Sequence, residues 1–580
     1  MLVVAGPVTA QDRGASQVPD SATLDRLVAL GDLYGAVFYF HPEVAPSDSA
    51  RRAWDDAVVT AVEAILQGGA SAFRPTVGAL LETLDDPETG LLGTVRQGPA
   101  TPMRQQRAWR YRGYPPEVND YYGGPYKPFA AGWHPLGNRE VQRHRLDLGG
   151  VSAVVRYSEP VPASSDTAPE PRARGSGMAS EASLPERGRR VIAAYRVRNI
   201  VRYFFPYSSL TGEDWSAVLR GSIPKLLAAR DSLQYALTVA ELITHFHDSH
   251  VGLSGGGWSA FVTGARAPLG VRILNGEAVV VGFTGDSVGR ATGLRVGDVV
   301  LAVDGEPVTA RAARLARHFS SSTPQSRNNK VGNALLGVGP RGSTVRLKVR
   351  DSTGMERQVV VERTSEDRWQ PARERQDRPV VQRIAEGVGY VDLARLGVEQ
   401  VDSAFTALAD TRAIIFDMRG YPRGTAWSIA PRLARSDSIV HARAWTRIAT
   451  SPDTMAAAVL DTRVRLPPRE GARPYRGRTV MLIDERAQSQ AEYTGMMLRA
   501  ANGTLFVGTP TSGANGDITD FRLPGNLVVS FSGTGSEFPD GTRLQRRGLI
   551  PDVYVAPTPE GLRAGRDEVL ERALDLLTTR

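Results

Sequence analysis

The chain contains no cysteine. Disulfide staples, thiolate nucleophiles and cysteine-ligated zinc or iron–sulfur centres are therefore excluded. Lysine is nearly absent too: of 580 residues only Lys127, Lys225, Lys330 and Lys348 carry an ammonium, and none follows Lys348. The formal charge of +8 is thus borne by arginine. No cluster of basic residues with interleaved aromatics forms a nucleic-acid footprint, so nucleic acid is not an expected partner. No stretch reaches the roughly 18 apolar residues of a membrane span, and stable membrane insertion is not expected.

What is present describes a folded, multidomain chain. Hydrophobic residues make up 41% and charged ones 23%, which excludes disorder as the main state, and at roughly 150 residues per domain the length holds about three to five domains. The start, MLVVAGPVTAQ, is a short apolar run ending in Val8-Thr9-Ala10 without a basic leader. Residues 1–20 read either as the remnant of a secretory signal peptide, which implies a periplasmic or extracellular protein, or as a frayed terminus.

Self-similarity divides the N-terminal half. LYGAVFYFHPE, Trp54 and LLETLDDPETGLLG recur as VRNIVRYFFPY, Trp215 and LITHFHDSHVGLSG. Tyr39 matches Tyr203, Phe40 matches Phe204, Pro42 matches Pro206, Asp86 matches Asp248 and Gly90 matches Gly252. In each copy apolar residues at helical spacing, such as Leu237, Val239, Leu242, Ile243 and Phe246, lead into an Asp-x-x-x-Gly turn. The copies differ at that turn: Ser249-His250 stands where the first has Pro87-Glu88. Residues 21–158 are expected to form a degenerate helical repeat with a β segment, including a strand at Val151–Tyr157. Residues 159–186 read as a Pro/Ala/Ser/Glu linker, disordered by composition, and 187–260 as the bundle carrying His250.

Residues 267–365 change pattern to short apolar runs punctuated by Gly293, Gly297 and Gly305, with Asp304-Gly305 as a tight hairpin turn. APLGVRI, AVVVGF and GLRVGDVVLAVDGEPV together resemble a PDZ domain. The resemblance implies that a sheet edge takes up an extended peptide and that a loop at Leu269, Gly270 and Val271 captures its terminal carboxylate.

From residue 383 to 580 strands and helices alternate: GVGYVDL, a helix over Val398–Ala409, AIIFD, TVMLID, a helix AEYTGMMLRAA closed by Asn502-Gly503, and TLFVG. Tyr493, Met496, Met497 and Ala500 give that last helix one buried face. The overall class is α/β and α+β, multidomain. Ser489 falls at the carboxyl end of a strand and the amino end of a helix, where open α/β sheets place their chemistry and free N–H groups can stabilise an oxyanion. A serine there is also an ordinary N-cap.

The order of motifs adds to this reading. A bundle ending in Ser-His, a PDZ-like module, GYVDL, FDMRG, DERAQSQAE, GTPTSGANG and GLIPDV together resemble the C-terminal processing (tail-specific) serine peptidases, in the branch like the core of tricorn protease. The resemblance covers about residues 188–575 and implies a crotonase-like α/β catalytic core with an inserted PDZ-like β domain and helical N-terminal bundles. It implies Ser489 as nucleophile. One branch of the family activates serine with a lysine, at whose position Ala514 stands here, and no lysine exists in this core. The histidine branch remains, with His250 as general base and Ser249 beside it. The oxyanion hole would draw on the N–H of Gln490 and on the turn Gly420, Arg423, Gly424, where Arg423 replaces the family's first glycine. Gln545 holds the place of the family's supporting glutamate, and an amide cannot stabilise an imidazolium as a carboxylate does. Glu492 is read as a capping or first-turn residue.

The spacing of His245, His247 and His250 does not suit a metal, because residues two apart on a helix diverge by about 200°. Neither metal nor cofactor is expected. The function implied is a serine endopeptidase acting on peptides or unfolded proteins chosen by their C-termini. The alternative is an inactive relative that binds a peptide or other ligand.

Overall fold

The computed structural model describes residues 18–95, 104–119, 121, 128–162, 182–367, 369–370, 375–436, 438–453, 458–468 and 474–578. Most of the signal-like start and of the expected linker lie outside them. The first linker residues are in fact structured, since Glu159–Pro160 pairs with Arg107 and Gln106.

The two helical copies pack on each other. Helix Ser21–Phe40 starts where Asp20 accepts the Thr23 N–H at 2.7 Å, and it lies against helix Arg187–Tyr203. Glycines permit the close approach: Asn199 Nδ2 donates to Gly31 O at 3.0 Å, and a Cβ at Gly35 would stand 2.0 Å from Asn199 Oδ1. The matched aromatics exchange partners, Tyr39 on Phe204 with ring centroids 5.1 Å apart and Phe40 on Tyr203 at 4.9 Å. The turns match in detail as well. Asp86 Oδ1 accepts the Glu88 N–H at 3.1 Å, and Asp248 Oδ1 accepts the His250 N–H at 3.0 Å. In the first copy the second carboxylate oxygen is consumed by His41, Thr89 and Arg156.

The β segment of the first copy does not stay with its bundle. Strand Arg104–Arg112 pairs with Ala130–Arg139 and also with Val440–Ala449 from the C-terminal part of the chain, which in turn pairs with Ala458–Arg465. The strand expected near Val151–Tyr157 spans Ser152–Arg156.

Residues 269–362 form an antiparallel sheet whose strands run, in spatial order, Glu356–Glu362, Thr344–Arg350, Val299–Val303, Glu277–Phe283 and Leu269–Leu274. Asp304 at φ 50° and Gly305 at φ 84° make its two-residue hairpin, with Val303 opposite Glu306. Helix Pro324–Ala334, capped by Thr323, packs on the edge strand Leu269–Leu274.

The C-terminal core is a six-stranded sheet in the order Val381–Ala385, Val388–Asp392, Ala413–Asp417, Arg478–Ile483, Leu505–Gly508 and Val553–Tyr554. All pairs but the first are parallel. Its central strands are buried on both faces, as parallel sheets require: Ile414, Phe416 and Met481 join one apolar cluster, Ile415, Val480 and Leu482 the other. Helix Gln490–Asn502 is more deeply buried than an amphipathic reading predicts, because Ala491, Thr494 and Leu498 are enclosed along with Met496 and Met497, while Tyr493 and Ala500 are half-buried. The helix expected over Val398–Ala409 is a short 3₁₀ turn followed by Val401–Ala407. Among the described residues no helix is long and apolar enough to cross a membrane.

Candidate active site

Two turns meet at the carboxyl edge of the core sheet. Strand Arg478–Ile483 ends in a turn that leads to Ser489, and its parallel neighbour Ala413–Asp417 ends in the turn Met418–Gly424. Ser489 takes φ 57° and ψ −117°, a conformation that costs a non-glycine residue roughly 1–3 kcal/mol. Strained strand-to-helix elbows lift a nucleophilic hydroxyl in α/β-hydrolases. The strain is held by the Ser489 N–H, which reaches Ala514 O at 3.0 Å and Glu492 Oε2 at 3.1 Å.

Glu492 does more than cap. Fully buried, its carboxylate also accepts the N–H groups of Gly513 at 2.7 Å and Ala514 at 3.0 Å and the Thr511 hydroxyl at 2.5 Å, tying the helix start to the Thr511–Ala514 loop. Burial pushes its pKa up to about 7 despite these four donors.

His250 lies on the second bundle's turn and is buried. Asp248, also buried, organises that turn: it accepts the N–H of His250, the N–H of Ser532 at 3.1 Å and Nε2 of Gln545 at 3.1 Å. The ring of His250 meets Ser532 Oγ through Nδ1 at 2.7 Å. Among the described residues Nε2 has no hydrogen-bond partner, so Ser489 and His250 are not joined by a hydrogen bond here. The residues preceding them are in contact: Gln488 Nε2 donates to Ser249 O at 3.4 Å. Ser512 Oγ then links Gln488 Oε1 to Ser326, and Ser326 Oγ lies 2.7 Å from Ser249 Oγ.

Several predicted supporters sit elsewhere than expected. The hydroxyl of Ser249 turns from the imidazole toward Ser326 and the N–H of Ser322, both from the inserted domain. Gln545 reaches Asp248 and, through Oε1, the Asn515 N–H at 3.2 Å, so it acts one residue removed from His250. The Gly420 N–H is spent on Met418 O at 2.7 Å and cannot serve an oxyanion. Among the described residues the N–H groups of Gln490, Arg423 and Gly424 donate to no protein acceptor. Leu269, Gly270 and Val271 form no loop: they open the edge strand, because alternating apolar residues pair with Glu277–Phe283. The Trp369 indole lies across the opposed glycines Gly270 and Gly282.

One lysine does approach this centre, from outside the core. Lys330, on helix Pro324–Ala334, donates to Ser249 O at 2.8 Å and Ser320 O at 2.6 Å. Burial pushes its pKa down to about 8, opposed by Asp248. His250 is likewise lowered, first by burial and further by Lys330, against the attraction of Asp248. A histidine with a lowered pKa is neutral, and so a competent base, well below pH 7. In ¹⁵N-histidine spectra of the full chain, His250 should titrate below the ordinary value of about 6.5. Lys330→Met should move that midpoint upward; a downward move would contradict the assignment. His245 and His247 share Glu213, at 3.0 and 2.7 Å.

A largely parallel sheet with a strained serine at its carboxyl edge and a buried histidine turn beside it is an arrangement on which a serine-peptidase site can be built. Residues 387–555 match the model of peptidase family S41, and the chain carries a domain of that family, whose members act on peptide or protein substrates. Two solved structures of CPAF share the fold at low identity, and the chain is also similar to a processing protease at a lower TM-score. Mature CPAF is 15% identical with a TM-score of 0.52, over 67% of this chain and 96% of that one. Mature CPAF complexed with lactacystin is 16% identical with a TM-score of 0.50, over 66% and 97%. The photosystem II D1 C-terminal processing protease is 18% identical with a TM-score of 0.41, over 67% and 97%. No curated protein matches the sequence.

Proposed function

We propose that this protein is an exported serine endopeptidase of the tricorn-like branch, in which Ser489 is the nucleophile and His250 the general base. The observation that carries the reading is the strained Ser489, one residue from the contact between Gln488 and Ser249. His250 Nε2 takes the Ser489 proton as Oγ attacks the scissile carbonyl, then returns it to the leaving amine; water cleaves the acyl-enzyme by the reverse assistance. The N–H of Gln490 and one from Arg423 or Gly424 hold the oxyanion, and a donor of this kind is worth about 3 kcal/mol.

The PDZ-like insert supplies the peptide edge. Strand Leu269–Leu274 ends its sheet and can accept a further strand. Helix Pro324–Ala334 now covers that edge, with a Cβ at Gly332 standing only 3.3 Å from Val271 O. A peptide adding there must part helix from strand, and the same helix carries Ser326 and Lys330 to the catalytic turn. The two helical copies then have separate tasks, the second presenting the base and the first serving as scaffold.

A second reading, an inactive relative that holds peptide, is favoured by the unpaired Nε2 of His250 and by Gln545 in place of a glutamate. A fluorophosphonate probe separates the two. The peptidase reading expects covalent labelling of the wild type that disappears in Ser489→Ala; a folded wild type that takes no label would sink it.

A further inference from the structure

Ser532 stands at the end of strand Leu527–Ser532, 282 residues from the histidine it touches. The antiparallel register explains the meeting. Ser530 lies opposite Gly252, so two residues on Ser532 lies opposite His250, and Ser530 Oγ donates to His250 O at 3.2 Å. Ser532 is fully buried, and its N–H is held by Asp248 Oδ2. The hydroxyl therefore projects from a backbone fixed by the same carboxylate that fixes the His250 N–H.

We propose that Ser532 is a positioning residue for the base: it accepts the Nδ1–H of His250 and so keeps the Nε2 lone pair free for the proton of Ser489. The inference rests on the peptidase reading for its consequence, though not for its geometry. In the opposite tautomer the Ser532 hydroxyl would donate to Nδ1 and the proton would sit on Nε2, where no described residue offers an acceptor. A ring N–H cannot turn away from such a site, whereas a hydroxyl proton can rotate. Neither of the charged groups nearest the ring supplies this contact. Asp248 bonds to backbone N–H groups and to Gln545, and Lys330 to the carbonyls of Ser249 and Ser320. In serine peptidases the group on Nδ1 selects the tautomer, and a wrong tautomer is costly with the geometry otherwise intact.

The test uses full-length protein with ¹⁵N-labelled histidine, His250 being assigned by its loss in His250→Ala. The wild type should show a protonated Nδ1 and an unprotonated Nε2. Ser532→Ala should lose that preference and Ser532→Thr keep it, while the other seven histidine signals report an unchanged fold. Fluorophosphonate labelling should slow by roughly 10²-fold in Ser532→Ala and recover in Ser532→Thr. A proton on Nε2 in the wild type, or a Ser532→Ala protein matching it in both readouts, overturns the proposal. The expected tautomers in a wild type that takes no label would uphold the positioning by Ser532 and refute the peptidase reading instead.

Discussion

His250→Ala is expected to lower kcat by roughly 10⁴- to 10⁶-fold, the scale on which serine peptidases lose activity when the base is removed. Glu88→Ala, at the equivalent place in the first copy, should leave kcat within about twofold, since it removes only a half-buried surface pair with Arg143. The contrast is sharp because the two turns share one backbone design, each aspartate accepting the N–H two residues on. They differ in what surrounds the side chain. His250 faces Ser532 and lies one residue from the contact with Gln488, whereas Glu88 pairs with Arg143. Steady-state cleavage of an unfolded protein substrate decides the matter: comparable losses in both variants would refute the division of labour between the copies.

Much of this centre is legible in local pattern. The strand, turn and helix around Ser489, the repeat and the Asp304-Gly305 hairpin are short-range signals, and hydrophobic spacing with turn chemistry suffices to place them. The contacts that finish the site are long-range. Asp248 is visible as a marker of the repeat, and an aspartate two residues before the candidate base is itself a turn signal. Its grip on Ser532 and Gln545, however, depends on segments nearly 300 residues away. Ser532 carries no local sign at all; only the pairing of Leu527–Ser532 with Gly252–Gly255 reveals it. The absence of lysine from the core holds, yet it does not foretell that Lys330 enters from the inserted domain. Leu269-Gly270-Val271 resembles a loop by family likeness, although its apolar alternation is that of a strand, and nothing local foretells that Trp369 covers Gly270.

Asp417→Ala is expected to be the most damaging substitution to stability in the core. Strands Val388–Asp392 and Ala413–Asp417 end with Asp392 and Asp417 opposite each other. Both carboxylates are buried and share Arg375, at 3.1 and 3.4 Å. Arg419 adds bonds of 2.6 and 3.0 Å to Asp417 and continues to Asp567, while the Tyr390 hydroxyl donates to Asp417 at 2.9 Å. Burial alone would raise the Asp417 pKa, but Arg375 and Arg419 outweigh it and hold the carboxyl far below the usual range. A lowered folded pKa means that the stabilisation is complete above the unfolded value of about 3.9 and is lost as pH falls below it. Removing the carboxylate strands buried guanidinium charge, at a cost of about 3–5 kcal/mol. Hydrogen exchange should show it as faster opening of Ala413–Asp417 at pH 7, with the gap to wild type narrowing only below about pH 4. Asp410→Ala, which breaks the exposed pair with Arg383, should leave that exchange unchanged. The network also holds Arg419 at the start of the turn Met418–Gly424, so partial damage should first reach the proposed oxyanion donors. Asp417→Asn, if it folds, should lose more in kcat than in KM; an unchanged kcat would mean that the turn is held by Met418 and the apolar cluster instead of by this ion network.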